Sequence, residues 1–263
     1  MKTFFICLGL CFLSIQGVAQ ELATSIFKAD QLILSNYPES IEYPGVILSQ
    51  KWQEKNAVRL VYHHKNTSLS ELQVQIVIKN NDNQDTEITT VSGDGGPSED
   101  EVFTGHIATK RFVTNMVHKK KNKVTIPANS SKVLSFQKFK PNHTVTGIVR
   151  LEKKHENNLQ IDLKIVDPKY PEMSAFTNIT NYEQPFSFAV FDETLRQKQV
   201  TYNCSENIQS IVIGSEPFLE DDVRNIELKG NYGLFYEIDL EMVNPTDSPR
   251  RVNLFFTPSA GNV

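Results

Sequence analysis

Tyr236-Glu237-Ile238-Asp239-Leu240-Glu241-Met242 alternates apolar and acidic side chains without a slip. Successive side chains of an extended chain point to opposite sides, so this stretch has one oily face and one wet face, as a half-buried strand requires. The same rhythm runs through Leu72, Val74, Ile76 and Ile78, slipping once at Val77. Further strands are expected at 46–50, 58–63, 87–91, 123–126, 132–137, 144–151, 159–166, 186–191, 199–202, 208–213 and 251–256. Turn-forming residues separate them: Asn80-Asn81-Asp82-Asn83, Pro127-Ala128-Asn129, Pro141-Asn142 and Asn244-Pro245-Thr246-Asp247. Many short strands at such spacing predict an all-β chain of antiparallel β-sandwiches.

The two clearest strands also superimpose. The shift that lays Leu72 on Tyr236 lays Val74, Ile76 and Ile78 on Ile238, Leu240 and Met242. Without a gap, it also places Ile47 on Ile211, Asn80 on Asn244 and Ile88 on Val252. Agreement in both apolar phase and turn position predicts two copies of one architecture. The expected organisation is a signal peptide (1–19), an N-terminal segment (20–43), a first sandwich with an inserted helix (44–167), a connecting segment with one or two strands (168–200) and a second, partial sandwich (201–263). The second copy holds too few strands to bury both faces of a sandwich. Strands between 186 and 202, a strand added by another chain at an open edge, or truncation of the unit would account for the deficit.

One segment departs from period two. Ser98 and Glu101 have the spacing of a capping box, and Ala108, Phe112 and Met116 recur every fourth residue, as do Phe103 and Ile107. Acids crowd the start and His118 to Lys121 crowd the end, which suits the helix dipole. A helix is expected over about 99–119.

Lys2, an apolar run from Phe4 to Leu13, and small residues at Gly17 and Ala19 predict a secretory signal peptide cut after Ala19. Leu10 before Cys11 argues against a lipid-anchored form. No other stretch is long and apolar enough to span a bilayer, so an exported, periplasmic or extracellular chain without membrane insertion is expected. Cys7 and Cys11 would leave with the signal, and Cys204 would remain without an internal disulfide partner. With 27 Lys and Arg against 31 Asp and Glu, the net charge of −4 gives no general attraction to nucleic acid. Five N-x-S/T sequons, at Asn66, Asn129, Asn142, Asn178 and Asn203, suit surface positions.

Gly230-Asn231-Tyr232-Gly233-Leu234-Phe235-Tyr236-Glu237-Ile238, Asn244-Pro245-Thr246-Asp247 and Phe256-Thr257-Pro258-Ser259-Ala260-Gly261 resemble stretches of uncharacterised secreted bacterial proteins with tandem immunoglobulin-like β-sandwiches. So do Gly95-Gly96-Pro97-Ser98, Gly105-His106-Ile107-Ala108-Thr109 and Arg111-Phe112. The resemblance covers about a fifth of the chain. It implies two immunoglobulin-like units outside the cytoplasm and a second unit that continues past Ala260-Gly261; it carries over no activity, cofactor or catalytic residue.

The motifs of familiar chemistry are absent. There is no HExxH, CxxC or G-x-S-x-G. His63 and His64 are neighbours on a strand, so they point to opposite faces and cannot share one ion. Asp82, Asp85, Glu87, Asp94, Glu99, Asp100 and Glu101 could attract Ca²⁺, but they lack calcium-loop spacing and are expected to be solvated turn and helix-start acids. No cofactor, metal or catalytic residue is expected. Glu237, Asp239 and Glu241 lie about 7 Å apart along one face, within glycosidase range, yet cross-strand charge pairing accounts for them. The basic run Lys119 to Lys123 fits a helix end better than a polyanion site. The expected function is non-catalytic binding of a protein or cell-surface component, in adhesion, assembly or recognition. The candidate surface is Gly93, Asp94, Gly95, Gly96, Ser98 and Arg111 beside the helix, with the open edge of the second unit. The alternative is an accessory module or hydrolase for cell-surface glycans, which needs facing carboxylates in a cleft beside Trp52 or tyrosines.

Overall fold

The computed structural model describes residues 2–7, 10–12, 30–36, 39–52, 55–171, 188–192, 194–206, 208–230 and 233–257, the first two stretches as backbone alone. The expected cleavage point after Ala19, the sequon at Asn178, the start of the strand expected at 186–191 and the Pro258-to-Gly261 stretch lie outside them. The described chain is predominantly β, with one helix. It divides into two units: Asp30–Asp192, and Met1–Ala29 together with Glu193–Val263.

Within the stretch expected to be the signal peptide, β1 (Lys2–Cys7) and β2 (Leu10–Phe12) form a hairpin. The Asp30–Asp192 unit begins with β3 (Asp30–Ser35), β4 (Ser40–Ile41), β5 (Gly45–Trp52), β6 (Ala57–Asn66), β7 (Leu72–Asn80) and β8 (Thr86–Ser98). The helix α1 (Glu101–Val117) follows, then β9 (Asn122–Ile126), β10 (Ser131–Phe139), β11 (Thr144–Lys153), β12 (Leu159–Val166) and β13 (Ala189–Phe191). One sheet runs β10-β7-β12-β5; the other runs β13-β3-β6-β11-β8-β9, with β4 also on β6. Both contribute to a single core that includes Ile47 and Trp52 of β5, Leu72 to Ile78 of β7 and Ile161 to Ile165 of β12, against Val58, Leu60 and Tyr62 of β6 and Val145, Val149 and Leu151 of β11. Each aliphatic side chain fully withdrawn from water there contributes about 1.5–3 kcal/mol.

This unit starts earlier and ends later than the expected 44–167, because β3 and β13 close its edge. It is also not wholly antiparallel. β3 and β4 both pair parallel to β6. Between β4 and β6 the chain crosses to the opposite sheet as β5, and such a crossover returns it in the same direction. Asp30 to Ser35 had no legible alternation because β3 is buried along nearly its whole length.

The helix lies where expected, with a slightly later start. Asp100 caps it by accepting the Phe103 N–H at 2.9 Å, while Ser98 Oγ accepts the Asp100 N–H at 3.1 Å. Its buried face is Thr104, Ala108, Phe112, Val113 and Met116; Phe103 is half exposed. At the far end Lys119 takes a left-handed φ of 52°, which stops the helix.

The other unit contains β14 (Leu195–Asn203), a short β15 (Glu220–Asp221) and β16 (Ile226–Glu227) pair, and β17 (Phe235–Val243). Its sheet runs β14-β17-β1-β2. β14 is parallel to β17 and β1 antiparallel to it. Tyr236, Ile238 and Leu240 are buried as their alternation predicts, but Met242 is 44% exposed. The strands expected at 208–213 and 251–256 do not form, since neither backbone has a sheet neighbour among the described residues.

Candidate functional site

Gly93, Asp94, Gly95, Gly96 and Ser98 do not form an exposed loop. They belong to β8, under α1. A Cβ on Gly93 would strike the backbone of Ala108 and Phe112, and one on Gly95 the backbone of Thr104 and Ala108. These glycines therefore let helix and strand meet backbone to backbone. Arg111 reaches over the seam and donates from Nη1 to the Asp94 carbonyl at 2.6 Å. The Asp94 side chain points the other way, as strand alternation requires, and its Oδ1 is buried with no hydrogen-bond partner. Burial pushes its carboxyl above the ordinary range, with Arg111 pulling the other way.

A polar cluster sits at the helix start. Glu39 lies just before β4, His63 and Lys65 on β6, Glu101 and Thr104 on α1, and Thr146 on β11. The Lys65 N–H donates to the Glu39 carbonyl at 2.7 Å, fixing that corner to β6. Lys65 Nζ is 2.8 Å from Glu101 Oε1, and His63 Nε2 is 3.5 Å from Glu39 Oε1. His63 Nδ1 meets Thr146 Oγ1 at 2.7 Å. Burial lowers the His63 pKa, with Glu39 and Glu101 opposing the shift. His64 faces the opposite way and meets Ser35, so the two neighbouring histidines do diverge. The sequence marks out His63 and Glu101 separately and Glu39 not at all, because strand pairing and helix placement join positions that are distant along the chain.

On the same sheet a second charged group is buried. Arg150 Nε donates to both carboxylate oxygens of Asp30, at 3.0 and 3.1 Å, and Nη1 donates to Glu152 at 2.9 Å. Trp52 and Glu237, named for a glycan cleft, are not exposed. Trp52 is in the core, its Nε1–H donating to the Lys55 carbonyl and its ring beneath Lys153. Glu237 is buried and accepts from Gln197 at 2.7 Å; Glu241 accepts from Thr201. Nor is every sequon on the surface: Asn66 is fully buried, donating to the Ser70 and Phe139 carbonyls.

Asn80 and Asn244 each anchor a turn, and so does Asn66 between β6 and β7. Asn80 donates to the Gln84 carbonyl at 2.8 Å and accepts the Asp82 N–H at 3.0 Å. Asn244 donates to the Ser248 carbonyl at 2.9 Å and accepts the Thr246 N–H at 3.2 Å, and Asn66 makes the same two bonds with Ser70 and Ser68. After the Asn80 turn the chain enters β8 and Ile88 is buried. After the Asn244 turn Val252 is 36%, Leu254 51% and Phe256 46% exposed. Met242 and Val243 of β17 are exposed as well. Among the described residues no helix is long and apolar enough to cross a membrane. No protein-family model, curated protein or solved structure matches the chain.

Proposed function

We propose that this is an exported, non-catalytic protein of two immunoglobulin-like β-sandwich units that binds an extended strand of a protein partner through its second unit. The observation that carries the reading is the exposed apolar stretch Val252, Leu254 and Phe256, in a segment with no sheet neighbour among the described residues. Its counterpart Ile88 in the first unit is buried beneath neighbouring strands. Apolar side chains on an unpaired backbone, the 81% exposed Phe255 among them, suit strand addition, in which main-chain hydrogen bonds supply affinity and side chains specificity. Cleavage after Ala19 would also remove β1 from β17 and open that strand's backbone to a substitute. Adhesion, assembly and recognition all use such a contact.

The test uses residues 20–263, produced as the mature form, and a labelled peptide with the sequence of β1. The expected result is saturable peptide binding with slowed amide exchange along β17. Leu254→Asp with Phe256→Asp should weaken association of the mature chain with itself or with the strand it captures. A mature chain that binds no strand, stays monomeric at high concentration and is unaffected by both substitutions overturns the reading.

A further inference from the structure

The cluster at the start of α1 has a proton count that can be settled from its contacts. Thr104 Oγ1 donates its one proton to the Glu101 carbonyl, 2.8 Å away. In its 2.8 Å contact with Thr146 Oγ1 it must therefore accept, so Thr146 donates. Thr146 has then spent its own proton and can only accept from His63 Nδ1 at 2.7 Å. It follows that Nδ1 carries a proton, so that whenever the ring is neutral the lone pair is on Nε2.

That lone pair faces Glu39 Oε1 at 3.5 Å. Ligand atoms of Glu39, His63 and Glu101 all lie within 4.8 Å of one another. Three electron-rich atoms from three separate elements thus converge, and the Lys65 ammonium at Glu101 offsets them in part. Lys65 and both carboxylates are partly exposed, so the ammonium can swing out and the carboxylates can turn in. We propose that Glu39, His63 and Glu101 form a zinc-type divalent metal site with a fourth position left for water or a partner's donor. Zinc bonds of about 2.0–2.2 Å to N and O place neighbouring ligands roughly 3.4 Å apart, which the His63–Glu39 pair already satisfies. The hydroxyl chain from His63 through Thr146 and Thr104 to the helix backbone is the outer support that holds a ligating imidazole in one tautomer. A bound ion would tie the corner before β4, strand β6 and the start of α1 together.

The experiment takes the full chain, stripped with chelator, and titrates it with Zn²⁺ alone by calorimetry. One ion per chain is expected, with a rise in Tm that chelator reverses. His63→Ala and Glu39→Gln should abolish this binding, Thr146→Val should weaken it about 10–100-fold, and Lys65→Met should tighten it by removing the competing cation. Independently of whether any variant folds, ¹⁵N imidazole spectra of the unaltered chain give a separate reading. They should report the Nδ1–H tautomer of His63 and a Zn²⁺-dependent shift at its Nε2. Absence of binding at millimolar Zn²⁺, binding that persists in His63→Ala, or an Nε2–H tautomer overturns the proposal.

Discussion

Burial raises the pKa of both Asp94 and Asp30, but only Asp30 is clasped by an arginine through both oxygens. Asp94 has an unpartnered buried oxygen, and burial raises its pKa. A carboxyl whose folded pKa exceeds its unfolded value favours the folded state most when protonated; that contribution is lost as pH rises through the folded pKa. Near neutral pH the buried charge is therefore a cost. Asp94→Asn is expected to raise Tm near pH 7, with the gain vanishing below about pH 4, where both states of Asp94 are protonated. Thermal melts across that range, with an unchanged difference at both ends, would refute the account. Asp30, by contrast, is fully buried yet clasped by Arg150 through both oxygens. Asp30→Ala leaves the buried Arg150 guanidinium with Glu152 alone and should cost about 1–3 kcal/mol in denaturant unfolding.

At the scale of elements, α1 and β8 are joined through backbone. A methyl group on Gly95 has no flexible side chain to displace, only the Thr104 and Ala108 backbone. Gly95→Ala should therefore destabilise by about 1–3 kcal/mol. Gly105, on the open side of the same helix, meets nothing, so Gly105→Ala should be neutral or stabilising by up to about 1 kcal/mol. The paired asparagine turns offer another contrast. Asn80 is buried and its Nδ2 reaches the carbonyls of Gln84, Ile126 and Pro127. Asn80→Ala should cost about 1–3 kcal/mol, whereas Asn244→Ala, at an exposed copy of the turn, should stay within about 0.5 kcal/mol. Equal effects in chemical denaturation would contradict the different settings.

For the molecule as a whole, the legible part was what one segment can encode alone. Period-two alternation marked β7 and β17, and four-residue spacing marked Ala108, Phe112 and Met116 on the buried face of α1, though Phe103, marked the same way, is half exposed. The shift that lays Leu72 on Tyr236 also lays Asn80 on Asn244, and both anchor turns, but Asn66, which it pairs with no asparagine, anchors one with the same two bonds. What stayed hidden depends on partners elsewhere in the chain. β3 carries no alternation because both its sides are covered, and 251–256 is apolar at Val252 and from Leu254 to Phe256 but has no sheet neighbour among the described residues. The glycines of β8 read as a loop because a close-packed helix and a tight turn ask for the same residue. Glu39, His63 and Glu101 had no shared motif, since three elements distant in sequence bring them together.

The β1–β17 pairing also has a timetable. Cys7 leaves the ribosome long before its partner Phe235, with nearly the whole chain still to be made between them. Elongation speeds in cells make that a wait of roughly ten to fifty seconds. Throughout that interval the nascent β1 segment is available to any receptor that claims it, and β14 likewise emerges before the strand it will lie beside. Whichever factor reaches that segment first decides whether it ever takes its place in the sheet.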